Sequence, residues 1–286
     1  MKRRRIPAAL CAVLLCLSII TAIASYALPG QTRLMAAAAE KNAFDRQSVE
    51  KASVAFESAE AILEKLQTIV ADELTGEDDA DEDFDVDEAI TFMNELGGDM
   101  AQIDMLLASL EGLKDDMDSS EGKTVLAVRE YLTMLRNISG DMHELLEYYI
   151  ELYDALMLFD DLDEDVESYT DFALDLIGIT DEIVRLMETI EPPSYLKITH
   201  DDLSSNFEEF RDFGEDFYTA TAMEDPLRIY SCVYRMDRIE AKLNRSAENL
   251  LDDVNLQFEQ ADKRLTGPIA TLHNELERNI ALLLEV

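Results

Sequence analysis

The apolar positions of this chain fall on helical stripes along most of its length. Ala55, Ala59, Ile62, Leu66 and Ile69 advance by four, three, four and three residues. That alternation places all of them on one face of an α-helix, at the period of a coiled-coil seam. It predicts a first helix from about 32 to 74, supported by the high-propensity alanines at 36–39. A second stripe starts near Val86 with Ile90, Met93, Leu96, Met100, Ile103 and Leu107, and Gly97-Gly98 is where that helix would bend. Ser119-Ser120 opens a third helix. Its seam holds Val128, Leu132, Leu135, Met142, Leu146, Tyr149, Tyr153 and Leu156, with Ser139 in the remaining heptad position. A break over 160–165 precedes a fourth helix with Val166, Tyr169, Ala173, Leu176, Thr180, Ile183, Met187 and Ile190.

Prolines punctuate the rest. Pro192-Pro193 cannot continue a helix, so the chain turns a sharp corner there. A fifth helix over about 201–223 carries Leu203, Phe207, Phe210, Phe213 and Phe217, at a spacing that reads as core. Pro226 suits the first turn of a sixth, whose rhythm runs through Leu243, Ala247, Leu250, Val254, Phe258, Ala261 and Leu265. Thr266-Gly267-Pro268 is expected to end it and leave a short helix at 281–285. The chain therefore reads as all-α: an elongated antiparallel bundle of six to seven long helices, in two continuous parts over 32–191 and 194–286. With 10 Gly and 6 Pro in 286 residues, turn residues are too scarce for a sheet-rich fold.

The N-terminus has another character. Lys2, Arg3, Arg4 and Arg5 precede an apolar run over 6–28, the pattern of an export signal or a membrane anchor within residues 1–30. Ser25-Tyr26-Ala27 suits cleavage after Ala27, while the run is also long enough to span a bilayer, which needs roughly 20 residues. Both readings place the remainder outside the cytoplasmic membrane, secreted or anchored by the N-terminus, because the basic flank stays inside.

Charge narrows the partners. A formal charge of −38 repels nucleic acid and anionic headgroups and favours cations or cationic ligands. The stretch GEDDADEDFDVDE at 76–88 concentrates that charge. It reads first as a solvated connector. The alternative is a binding module for calcium or a cationic peptide, with Glu77, Asp79, Asp81, Asp83, Asp85 and Glu88 at the ligand positions of an EF-hand loop. Glu82 stands where that loop needs glycine, and Glu77 where it usually has Asp. The run at 160–167 fits the loop less well and reads as a helix boundary.

Other chemistry is sparse. The three histidines, His143, His200 and His273, lack a second histidine at helical spacing, and no Glu-x-x-His occurs. His200 is expected to meet Asp201-Asp202 or solvent. Cys232 stands alone after the N-terminal segment and reads as a small apolar residue. With 62 acidic residues, carboxylate pairs carry no information, and no nucleophile elbow, phosphate loop or dinucleotide fingerprint is present. The sixth helix is less generic: Arg228, Arg235 and Lys242 step by seven, as do Arg238 and Arg245. This basic stripe lies either against acidic neighbouring helices or against an anionic partner.

The segment IEPPSYLKITHDDLSSNFEEF, with Pro192, Pro193, His200 and Leu203, resembles exported and membrane-anchored all-helical proteins of the bacterial envelope over about residues 190–210. That resemblance implies an exported helical domain and transfers no catalytic residue. The reading is thus a non-catalytic, extracytoplasmic, acidic helical-bundle protein with an interaction or structural role at the cell envelope. Its partners would be the membrane through 6–28 if uncleaved, and another envelope protein or a cationic ligand. No cofactor is expected unless the acidic loop takes calcium.

Overall fold

The structure, a computed structural model, describes residues 31–75, 86–111, 113, 119–162 and 168–285. Among these it is all-α, with no strand: α1 (Gln31–Thr75), α2 (Val86–Glu111), α3 (Ser120–Leu156), α4 (Tyr169–Met187), α5 (Lys197–Ala222), α6 (Pro226–Arg264) and α7 (Ala270–Leu284). A 3₁₀ turn, Met157–Asp161, prolongs α3. The helices form the expected bundle. The N-terminal signal or anchor lies outside the described residues.

Helix starts follow the capping residues. Ser119 Oγ accepts from the Gly122 amide at 2.9 Å and opens α3. Ser168 Oγ accepts from the Asp171 amide at 3.2 Å and donates to its carboxylate at 2.6 Å, opening α4. Asp225 accepts from the amides of Leu227 and Arg228, with Pro226 in the first turn of α6. Between α5 and α6 the chain reverses through Glu224, whose φ of 50° lies in the left-handed region. At the Pro192-Pro193 corner the Leu196 amide donates to the Pro193 carbonyl at 2.8 Å.

α2 is continuous over Gly97-Gly98. One expected interruption does not occur. At 265–269 the helix widens into a π-turn and continues, so α7 has 15 residues rather than the predicted five-residue stub. A proline in an α-helix loses one hydrogen bond and crowds the carbonyl four residues back. The wider π-turn accommodates Pro268, and it is held on both sides by Leu265 and Ile269, both fully buried.

α3 is the axis, about 55 Å long for its 37 residues at 1.5 Å each. Its buried stripe runs from Val125 through Tyr131, Leu135, Met142 and Tyr148 to Ala155. α1, α2 and α7 pack around it, and its C-terminal end meets α4. α5 packs between α4 and α6, and α6 also reaches α1. Helices from both sides of the Pro192-Pro193 corner therefore pack together. α6 runs antiparallel to α5: Arg235 pairs with Asp216, Lys242 with Glu209, and Asn206 donates to Ser246 at 2.7 Å.

α4 and α5 approach closely at Gly214, where a Cβ would lie 3.0 Å from Ile177 Cγ1. Gly178, the residue after Ile177 on α4, has nothing within 4 Å of its Cβ position. In a helix, Gly→Ala gains about 1 kcal/mol of propensity, whereas overpacking costs about 1–3 kcal/mol. Gly178→Ala is therefore expected to raise the urea midpoint and Gly214→Ala to lower it. Equal gains from both would show that α4 and α5 do not pack this tightly.

Candidate functional site

The phenylalanines of α5 form more than a core stripe. Phe210 and Phe213 stack at 6.0 Å between ring centroids, and Phe213 and Phe217 at 5.8 Å with planes 8° apart. Phe159, on the 3₁₀ turn after α3, lies 5.9 Å from both Phe207 and Phe210. These five rings make a continuous aromatic ladder. Their inner side packs into the bundle, and their other side floors a groove.

Two adjoining cavities make up that groove. One, of about 450 Å³, lies between Phe172 and Leu176 of α4, the phenylalanines of α5, and Val233, Met236, Ile239 and Leu243 of α6. The other, of about 370 Å³, lies between Tyr149, Leu152, Tyr153 and Leu156 of α3, Leu203 and Phe207 of α5, and Leu243, Ala247, Leu250 and Leu251 of α6. They share Phe159, Leu243 and Asn244, so they lie end to end along α6 in one groove. It opens to solvent along α6, where Val233 is 53% and Leu251 47% exposed. Among the described lining residues the charges are Asp237 and Glu240, both on the α6 lip. Apolar, concave surface with a few polar groups at the edge is the usual make-up of a ligand site. Another cavity of about 450 Å³, near Ser120, Lys123 and Asn279 at the start of α3, has no aromatic lining.

The residues singled out from sequence lie elsewhere or are engaged. Glu77, Asp79, Asp81, Asp83 and Asp85 fall outside the described residues, and Glu88 sits in the first turn of α2. Among the described residues no three metal-type side chains converge. The basic stripe divides. Arg235 and Lys242 reach Asp216 and Glu209 of α5, while Arg228 lies 3.6 Å from Asp225 of its own cap. Arg238 and Arg245 are exposed and make no ion pair with the described residues.

His200 differs from expectation. It is buried rather than facing Asp201-Asp202 or solvent. Its Nε2 donates to the Met187 carbonyl at 3.2 Å, which leaves Nδ1 to accept from the Tyr148 hydroxyl, also at 3.2 Å. The neutral Nε2–H tautomer satisfies both ring nitrogens and gives the Tyr148 hydroxyl an acceptor. A similar pair links Tyr131 to His273 Nδ1 at 3.3 Å, with Phe56 packed 4.9 Å from the histidine ring. His143 lies on the bundle surface, 4.0 Å from Glu147. None of the three histidines stands with another as a ligand pair.

Over 174 residues the chain is 24% identical to WPP domain-interacting tail-anchored protein 1 of Arabidopsis thaliana; the match covers 61% of this chain and 24% of that protein. The chain thus spans about a quarter of the length of the curated relative it matches. No family model and no solved structure matches. The relative is named as tail-anchored, and no described helix is long and apolar enough to cross a membrane. These findings correct the extracytoplasmic, secreted or N-terminally anchored location expected from residues 1–30.

Burial holds the His200 pKa below its ordinary 6.5, against the Met187 hydrogen bond and Asp201, which favour the proton; Lys197 disfavours it. With the folded value depressed, the unfolded chain binds the proton first as pH falls. The stability contributed by neutral His200 is complete above 6.5 and is lost below it. Between pH 7.5 and 5.5 the wild type should lose stability that His200→Gln does not; parallel urea curves would refute this. Separately, Arg235→Glu with Lys242→Glu sets acid against acid on α5 and should lower the melting temperature by about 4 °C or more. An unchanged melting temperature would return the stripe to the role of a docking face.

Proposed function

We propose that this is a non-catalytic helical-bundle protein that acts by binding, with the aromatic groove between α5 and α6 as its docking surface. The observation that carries the reading is the channel itself: an apolar groove over the largely buried phenylalanine ladder, with Val233 and Leu251 exposed along its mouth instead of covered by another helix. Its lining offers apolar area and two carboxylates, not a nucleophile beside a base. The bundle fold and a relative named for an interaction with another protein domain support a binding role over an enzymatic one.

An uncharged solvatochromic dye tests the groove without charge effects. Nile red is expected to bind the full chain and shift its emission to the blue. Val233→Trp and Ala247→Trp fill the two ends of the groove from exposed positions, so the fold should be kept. Each should reduce dye binding several-fold, and the pair should abolish it. Undiminished binding in the double variant would overturn the assignment.

A further inference from the structure

Resting on that reading, we infer that the groove takes an amphipathic helix of about five turns whose polar flank is basic, supplied by a partner protein. Length comes first. From Val233 to Leu251 the α6 wall covers 19 residues, about 27 Å for the 18 steps between them at 1.5 Å each. That suits a helix laid along α6 better than a compact ligand at one end. Shape agrees. α6 and α5 supply two sides of the channel, α4 and the end of α3 the third, and the fourth is open, as in a four-helix packing that lacks one member.

Charge selects the flank. Asp237 and Glu240 stand one turn apart on the α6 lip, and neither has an ion-pair partner among the described residues. Lysines or arginines at the same spacing on an incoming helix would meet both. A fatty acid or a phospholipid would bring its anionic head toward these carboxylates, with no cation among the described lining residues. A second copy of this chain is disfavoured by a charge of −38 on each. Within the described residues the helix richest in positive charge is α6, which already forms the wall.

The test uses the full chain and two synthetic 18-residue helical peptides with the same Leu/Phe face, one flanked by lysine and one by glutamate. The lysine peptide is expected to displace Nile red and bind at least about 10-fold tighter than its glutamate twin near 0.15 M salt. Asp237→Lys with Glu240→Lys should reduce that ratio to about 3-fold or less. A control removes the same charge far away: Glu275→Lys with Glu277→Lys on α7, at the other end of α3, should leave the ratio intact. Equal loss in both variants would mean that net charge, not the lip, selects the peptide, and would overturn the inference. Bound dye that neither peptide displaces would overturn it too while leaving the groove assignment standing; absence of dye binding would remove both. Displacement by a peptide of residues 1–28, with no further effect of the lysine peptide, would assign the groove to this chain's own N-terminus instead.

Discussion

Burying one long stripe on α3 is the requirement that organises this molecule. A 37-residue helix with apolar groups along one side needs neighbours over its full length. α1, α2 and α7 cover much of it. The stripe also contains Tyr131 and Tyr148, whose phenol groups are pushed toward high pKa by burial and therefore remain neutral. A buried hydroxyl without a partner costs about 1–3 kcal/mol, so each needs an acceptor or donor within reach. His273 on α7 and His200 on α5 meet that need. The two pairs fix where helices distant in sequence join the axis.

Electrostatics sets a second constraint. With 62 acidic and 24 basic residues, packing these helices brings carboxylates together. Cations are accordingly placed at helix junctions: Lys65 joins α1 to Asp99 and Glu95 of α2, Arg211 lies near Asp181 of α4, and Arg264 holds Asp141 of α3. Burial disfavours the Lys65 ammonium, but hydrogen bonds and charge from Asp99 and Glu95 outweigh that and keep its pKa raised. Arg235 and Lys242 belong to the same set. They tie α6 to α5 on one flank, which leaves its other flank, with Asp237 and Glu240, to line the groove.

Much of the architecture was legible because it depends on local signals. The 3/4 spacing located the helices, and Ser119 and Asp225-Pro226 marked their starts, since capping is a property of a few consecutive residues. The π-turn was not legible. Pro268 signals a break locally, and only the burial of Leu265 and Ile269 against the bundle shows why the helix continues. The Tyr148–His200 pair joins residues 52 apart, a separation that no pattern along the chain encodes. The groove was hidden for a related reason. Phe207, Phe210, Phe213 and Phe217 have the same spacing whether their outer side is covered or open, so sequence period predicts a core but not its missing wall.

The way α6 is seated has a mechanical consequence. Over its first half, the fully enclosed residues are Cys232, Ile239 and Ser246, one per heptad. Ile229, Met236 and Leu243 beside this line are only partly buried, so the backbone amides of this half-helix are expected to exchange with solvent faster than those of α3. Cys232, a buried free thiol whose pKa is raised by burial, sits at the first of these contact points. Because the thiol is enclosed in the packed helix, its rate of alkylation would report on how often this half-helix opens.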